Sequence, residues 1–397
     1  MNAGALIRRN LQKTLENWLN HFPVIAILGP RQVGKTTLVK QLQPLLTKGF
    51  IYLDLELTSD AEKLKDPEFF LKQFENKTVI IDEIQRNKTL YPLLRALTDQ
   101  KREAGRFILL GSASPELIRD SSESLAGRIV YAELNPIGFT ELPPLITQED
   151  LWLRGGFPES LLSQSVKLST LWLNNFIKTY AERDIPLLGL NVSPLQIERL
   201  WRILASLHGQ LVNYSEIGKS LGITSNTTKK YMDFLEETYL IRCLQPYSLN
   251  MRKRIVKSPK VYIRDSGIQH CLMNISGFEE LIGHYIAGNS WEGFAIQQII
   301  QVLGDEYRYF FYRTHNGAEL DLIIEKGSEV IAAIEIKLSN IPALSKGNYL
   351  AIDDVKPKRT YIVTFNSDSY LMRENIQVCS LRDFLTEHIK FILNPAY

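Results

Sequence analysis

The chain alternates between short, unbroken apolar runs and longer stretches where apolar residues recur every three or four positions. Ile7, Leu11, Leu15, Trp18 and Leu19 keep the second spacing and predict an opening helix. Apolar runs over Phe22–Leu28, Phe50–Leu55, Thr78–Ile81, Phe107–Gly111 and Ile129–Leu134 predict strands. They lack polar alternation, as strands buried on both faces do. Helical stretches separate them, so the pattern predicts an α/β domain with a parallel sheet covered by helices. The segment Asn135–Pro144 carries three prolines and breaks this rhythm, which sets a first domain at 1–145. Leu151–Leu207 reads as mostly helical, with Trp152, Trp172 and Trp201 as core or packing residues. A helical and winged-helix region at 146–285 and a final α/β region at 286–397 complete the predicted order.

The first apolar run leads into Gly29-Pro30-Arg31-Gln32-Val33-Gly34-Lys35-Thr36, followed by Thr37. This is GxxxxGK[ST] between a strand and a helix, the P-loop or Walker A pattern. Glycines let backbone N–H groups turn around phosphates, and the helix N-terminus adds partial positive charge. Lys35 is placed to reach the β and γ phosphates of ATP, and the Thr36 hydroxyl to ligate Mg²⁺. Val79-Ile80-Ile81-Asp82-Glu83 is the Walker B pattern. Asp82 is the candidate for the Mg²⁺ hydration shell and Glu83 for activating the attacking water. Ser112, ending the Phe107 run, is the candidate γ-phosphate sensor, with Ser114 as runner-up. Arg128, in Ser124-Leu125-Ala126-Gly127-Arg128, is a candidate for stabilising transferred phosphoryl charge in a neighbouring subunit. An ion-pairing surface arginine is the other reading.

The order GPRQVGKTTL, IIDEIQ, LLGSASPEL, SLAGR and LNPIGFTEL resembles the AAA-type ATPases of archaea and bacteria that carry an uncharacterised C-terminal half. Arg154-Gly155-Gly156-Phe157-Pro158-Glu159 and Tyr180-Ala181-Glu182-Arg183-Asp184-Ile185 extend the resemblance. It implies an ATPase.

Tyr214–Leu221 predicts a short helix, Gly222-Ile223-Thr224 a turn, and Ser225–Glu236 a second helix with Ser225 as N-cap. Tyr231, Phe234 and Leu235 face the core, which leaves Asn226, Thr227, Lys229 and Lys230 outward. This is helix-turn-helix spacing. Strands over Tyr239–Gln245 and Lys260–Ile263 flank a basic stretch. From Ser248 to Arg264 it holds Arg252, Lys253, Arg254, Lys257, Lys260 and Arg264 and no acidic residue. Lys229, Lys230, Arg252, Lys253, Arg254 and Lys257 are therefore candidate DNA contacts. A protein-interaction module is the alternative.

Trp291 and Glu292 open a predicted helix, and three strands follow at Tyr307–Arg313, Glu319–Ile324 and Val330–Leu338. Strand alternation sets Glu319 and Asp321 on one face, opposite Leu320, Leu322 and Ile324. It likewise sets Glu335 with Lys337. Asp321, Glu335 and Lys337 then form a cluster in which the two carboxylates are candidate ligands for a second divalent ion. The spacing D-x13-ExK, with Glu292 on the helix, resembles the PD-(D/E)xK nucleases, although no proline precedes Asp321. The implied fold is restriction-endonuclease-like; a solvated ion-paired strand pair, or that fold without activity, are the alternatives.

Composition adds boundaries. The 397 residues are 45% apolar and 23% charged, with net charge +2, which excludes a chain-wide field for polyanions. Three separated cysteines offer no zinc spacing and suit a reducing compartment, so a cytoplasmic location is expected. No run is long enough for a membrane-spanning helix. Two functions follow from these readings. One is an ATP-hydrolysing, DNA-associated machine that translocates on or remodels DNA as a homo-oligomer, in a ring. The other is a nucleotide-controlled switch or scaffold for a protein partner; an ATP-dependent nuclease is a variant of the first.

Overall fold

The computed structural model describes residues 6–112, 121, 125–248 and 256–394. Ser114, Ser124, Arg252, Lys253 and Arg254 lie outside them. The chain divides into two compact units. The first comprises Met1–Ile137, Asp184–Asn191 and Glu237–Tyr239; the second comprises Gly138–Arg183, Val192–Glu236 and Leu240–Tyr397.

The first unit is built on five parallel strands: β1 (Val24–Gly29), β2 (Phe50–Asp54), β3 (Thr78–Asp82), β4 (Phe107–Ser112) and β5 (Ile129–Glu133), in spatial order β2-β3-β4-β1-β5. Alternation within the apolar runs feeds two cores. Val24, Ala26, Leu28, Val79, Ile81, Phe107 and Leu109 join Leu90, Leu94 and Leu97 of the helix Leu90–Gln100 on one face. Ile25, Ile27, Ile80, Ile108 and Leu110 join Leu15, Leu38 and Leu42 on the other. Leu15 comes from the opening helix Leu11–Trp18, and Leu38 and Leu42 from Lys35–Leu42. Because both faces are covered, polar residues are confined to the strand ends, where parallel sheets carry their sites.

The second unit begins helically. Trp152 and Trp201 are fully buried, while Trp172 is half-buried and stacks on Phe176 at 5.3 Å. The Arg154–Glu159 motif serves packing. Asp265 Oδ2 accepts from Gly156 N at 2.8 Å, and Asp265 Oδ1 caps the helix Ser266–Leu272 through Ile268 N at 3.0 Å. Gly155 has φ +74°, and an added Cβ would lie 2.0 Å from Asp265 Oδ1, so no side chain fits there.

Helices Tyr214–Leu221 and Ser225–Glu237 meet at Gly222, which is left-handed. The N-cap of the second helix is Thr224, not Ser225: its hydroxyl accepts from Thr227 N at 3.2 Å. Met232 is buried where Tyr231 was expected, and Tyr231 is half-buried. Strands β6 (Gln210–Leu211), β7 (Ile241–Pro246) and β8 (Lys260–Ile263) do not stand apart from the C-terminal strands. They join β9 (Arg308–Arg313), β10 (Glu319–Lys326), β11 (Glu329–Lys337), β12 (Arg359–Thr364), β13 (Tyr370–Arg373) and β14 (Ile376–Ser380) in one mixed sheet, ordered β13-β14-β12-β11-β10-β9-β7-β8-β6. The link is a short parallel pairing of Gln245 with Phe310 and Pro246 with Phe311. Position 285, read from the sequence as a boundary, falls inside this unit. The helix carrying Glu292 spans Ala287–Leu303, so Trp291 and Glu292 lie inside its first half rather than at its start.

Candidate functional site

The loop after β1 is shaped around an anion. Gly34 has φ +97°, and Gln32, exposed at φ +61°, also turns left-handed. Val33 is fully buried in the core and offers only its backbone to the loop, while Pro30 is buried and Thr37 is exposed. Lys35 is buried, and its ammonium donates to the carbonyls of Gly29 at 3.0 Å and Pro30 at 2.9 Å. Burial pulls Lys35 down to about 8, against the opposing pull of Glu83 and Asp82. A buried ammonium at a helix N-terminus, in a loop with left-handed Gln32 and Gly34, is matched to phosphate.

Thr36 Oγ1 donates to Asp82 Oδ2 at 2.8 Å, joining the loop to the end of β3. The sequence reading missed Tyr52, whose hydroxyl donates to the same carboxylate oxygen at 2.5 Å. Tyr52 lies on β2 opposite Ile80 of β3, two residues before the pair Asp54 and Asp82. Glu83 follows Asp82 in left-handed backbone at φ +54°. Burial raises its carboxyl, and Gln85 Nε2 donates to its Oε2. Ser112 pairs in register with Gly29, and its hydroxyl is buried with no hydrogen-bond partner among the described residues. An orphaned hydroxyl beside the loop costs stability unless a ligand or water satisfies it. Thr36, Asp82, Lys35 and Ser112 thus fit a magnesium nucleotide.

Arg31 bonds Asp184 Oδ1 at 2.6 Å. Asp184 comes from the segment Asp184–Asn191 that joins this unit from much later in the chain. Arg128 sits elsewhere. Its carbonyl accepts from Val24 N at 3.2 Å, at the start of β1, whereas the phosphate loop leaves the end of β1. Six strand residues separate the two by about 17 Å. The Arg128 guanidinium grips Asp99 through Nε at 2.5 Å and Nη2 at 2.9 Å. Arg128 therefore does not reach the phosphate loop of its own chain.

In the second unit Asn226, Lys229 and Lys230 are exposed on Ser225–Glu237, with Thr227 half-exposed, and Lys257 is exposed. Lys260 differs from the exposed Lys257. It is 3% exposed in its side chain and lies 3.0 Å from Glu292, 3.0 Å from Glu319 and 3.6 Å from Asp321. Its reading as wing charge is corrected: β8 pairs with β7 inside the sheet and turns Lys260 inward. Tyr262 donates to Glu292 Oε1 at 2.5 Å. Asp321 Oδ2 accepts from Ile336 N at 2.9 Å, and Lys337 bonds Glu335 Oε1 at 2.6 Å. Burial, then the Asp321 charge, push Glu335 up to about 8.

The alternation expected along β10 is also corrected. Leu320 pairs with Tyr312 and Ile323 with Phe310, so two residues of β10 face one of β9. This bulge puts Leu320 and Ile323 in one core, and the series Leu320, Leu322, Ile324 is broken. Among the described residues no group of three or more His, Cys, Asp or Glu is arranged to hold a metal, and no helix is long and apolar enough to cross a membrane.

The profile described as "AAA domain" matches residues 21–143. Two profiles described as "Domain of unknown function" match 146–279 (DUF8612) and 287–384 (DUF4143). An "uncharacterized protein" of Mycobacterium tuberculosis is 37% identical over 359 residues, spanning 90% of this chain and 79% of its own. Another, of Methanocaldococcus jannaschii, is 24% identical over 314 residues, spanning 64% of this chain and 63% of its own. Among solved structures, the Walker-type ATPase of Pyrococcus abyssi aligns with TM-score 0.48 at 17% identity, covering 68% of this chain and 96% of that one. With its AAA domain, phosphate loop and near full-length match to the mycobacterial protein, this chain belongs to that protein's family and is an AAA-type ATPase.

Proposed function

We propose that the chain hydrolyses ATP with Mg²⁺ and uses the cycle to translocate on or remodel DNA as a homo-oligomer. The observation that carries hydrolysis is the Thr36–Asp82 bond with Glu83 next in line. Bound Mg²⁺ supplies a Lewis acid that polarises the terminal phosphates. Lys35 binds the β and γ phosphates, Thr36 and Asp82 hold the metal shell, and Tyr52 orients Asp82. Glu83 takes the proton of the attacking water, and burial keeps this carboxyl basic enough to do so. Ser112 satisfies its hydroxyl on the γ-phosphate or the water.

DNA association is supported by the exposed Lys229, Lys230 and Lys257 and by the basic sequence Arg252-Lys253-Arg254. Assembly is supported by Arg128, which is barred from its own phosphate loop and suits a neighbour's. ATPase measured with and without single-stranded, duplex and branched DNA tests the reading. Stimulation with steep salt dependence supports it. A slow ATPase indifferent to every DNA form favours a nucleotide-controlled switch that binds a protein partner.

A further inference from the structure

The resemblance to PD-(D/E)xK nucleases implies a divalent ion between Asp321 and Glu335, yet the surrounding residues do not fit one. Most of the carboxylate oxygens that could face such an ion already have a partner from the chain. Asp321 Oδ1 lies 3.6 Å from Lys260 Nζ, and Asp321 Oδ2 accepts the N–H of Ile336. Glu292 Oε1 accepts from both Lys260 and Tyr262. Glu319 Oε1 lies 3.0 Å from Lys260 and Glu319 Oε2 3.6 Å from Arg313. Glu335 Oε1 accepts from Lys337, and its Oε2 is buried without a partner among the described residues. Waters can complete a Mg²⁺ shell held by one or two carboxylates, but here an ammonium already sits 3.0 Å from Glu292, 3.0 Å from Glu319 and 3.6 Å from Asp321, and among the described residues no group of three or more His, Cys, Asp or Glu is arranged to hold a metal.

We infer that the Lys260 ammonium is the resident cation of this cluster, occupying the place a divalent ion would take and making the C-terminal unit independent of metal. Three features make it suited to the part. It is buried, so it is not exchanged for solvent; it meets carboxylates from the helix Ala287–Leu303 and from β10; and it is anchored on β8. A lone ammonium at this depth would be very unfavourable, and so would three carboxylates crowded without it. Each satisfies the other. Lys260 therefore locks helix, β8 and β10 together, and the cluster is a structural tie rather than a phosphodiester-cleaving centre.

The test uses Mn²⁺ alone, titrated by electron paramagnetic resonance into the full chain carrying Asp82→Asn, which removes the carboxylate of the phosphate-loop site. With Lys260 intact, the free Mn²⁺ signal is expected to match buffer. One bound equivalent that disappears on adding Asp321→Asn overturns the proposal. In the same background, Lys260→Met is expected to acquire a bound Mn²⁺ and a Tm that rises with Mn²⁺. A folded Lys260→Met chain with no Mn²⁺ response also overturns it. Should Lys260→Met fail to fold, the first titration, which leaves Lys260 in place, decides alone. Neither readout depends on ATP hydrolysis, so the two readings stand or fall separately.

Discussion

Arg31 of the phosphate loop and Asp184, 153 positions later, form an ion pair of 2.6 Å with side chains only 16% and 7% exposed. Both belong to the first unit. The guanidinium also lowers Lys35 and Glu83 electrostatically, so it faces the nucleotide site. Removing one member of a buried pair leaves the other charge unpaired, at about 3 kcal/mol. Asp184→Ala should destabilise the nucleotide-free chain by about that amount. ATP phosphates then offer Arg31 a new partner, so added nucleotide should recover most of the loss. Thermal melts with and without Mg-ATP check this; an equal Tm deficit in both conditions would mean that Arg31 never leaves for the phosphates.

Glu83→Gln keeps the volume and loses the base. ATP should still bind, because Lys35, Thr36 and Asp82 are unchanged, while kcat falls by at least about a hundredfold. Rapid filtration should recover intact ATP on the protein. Hydrolysis at the unsubstituted rate would move the base elsewhere.

Lys35 makes nucleotide affinity depend on pH. Its folded value of about 8 lies below the unfolded value of about 10.4. The cost of burying its charge is fully present below pH 8. It is relieved as pH rises from about 8 to about 10.4, so the nucleotide-free chain gains stability across that window. ATP needs the ammonium, and its phosphates raise the lysine again. Affinity should therefore fall above about pH 8, approaching tenfold per pH unit, with proton uptake on binding. Calorimetry in buffers of different ionisation enthalpy measures both; a flat affinity from pH 7 to 9.5 would count against a charged Lys35 on the phosphates.

The strands of the first unit were legible because their apolar runs are continuous and turn chemistry brackets them; Lys260–Ile263 was legible to the residue. Local spacing also placed Lys35, Thr36, Asp82 and Glu83, which sit within one loop and one strand end. What escaped depends on distant partners. Tyr52 reaches Asp82 only through the pairing of β2 with β3. Asp184 reaches Arg31 across 153 positions. Lys260 looked like one more basic residue because nothing local reveals that β8 turns it toward Glu292, Glu319 and Asp321. The β10 bulge escaped for the same reason: an inserted residue changes parity without changing composition.

Arg128 gives a prediction about assembly. It flanks the start of β1 while the phosphate loop flanks the end, so any catalytic role needs a second copy. Its hold on Asp99 is exposed to solvent and easily exchanged for a phosphate. Arg128→Ala and Lys35→Ala chains should each be inactive alone. Mixed, they should recover part of the ATPase, because an intact Arg128 on one chain can serve an intact loop on the other. No recovery at any ratio, with both variants folded, removes Arg128 from catalysis.

The exposed lysines predict how DNA binding responds to salt. Lys229 and Lys230 lie on the outward side of Ser225–Glu237, and none of Lys229, Lys230 or Lys257 has an ion-pair partner among the described residues. Removing one lysine–phosphate interaction lowers the slope of log affinity against log salt by about one. Changing all three lysines to Ala should weaken binding to every sequence and reduce that slope by up to about three. Arg252, Lys253 and Arg254, changed together, should do the same. The two triples should add, since they are separate charges on one polyanion and base readout does not enter. Fluorescence anisotropy on duplex DNA across a salt series measures both affinity and slope. Weakening confined to one sequence would indicate base recognition by Asn226 or its neighbours instead of phosphate binding. An unchanged slope in both triples would take DNA away from this face. The lysines would then be solvated charge on a protein-binding module, and ATP turnover would be expected to ignore DNA altogether.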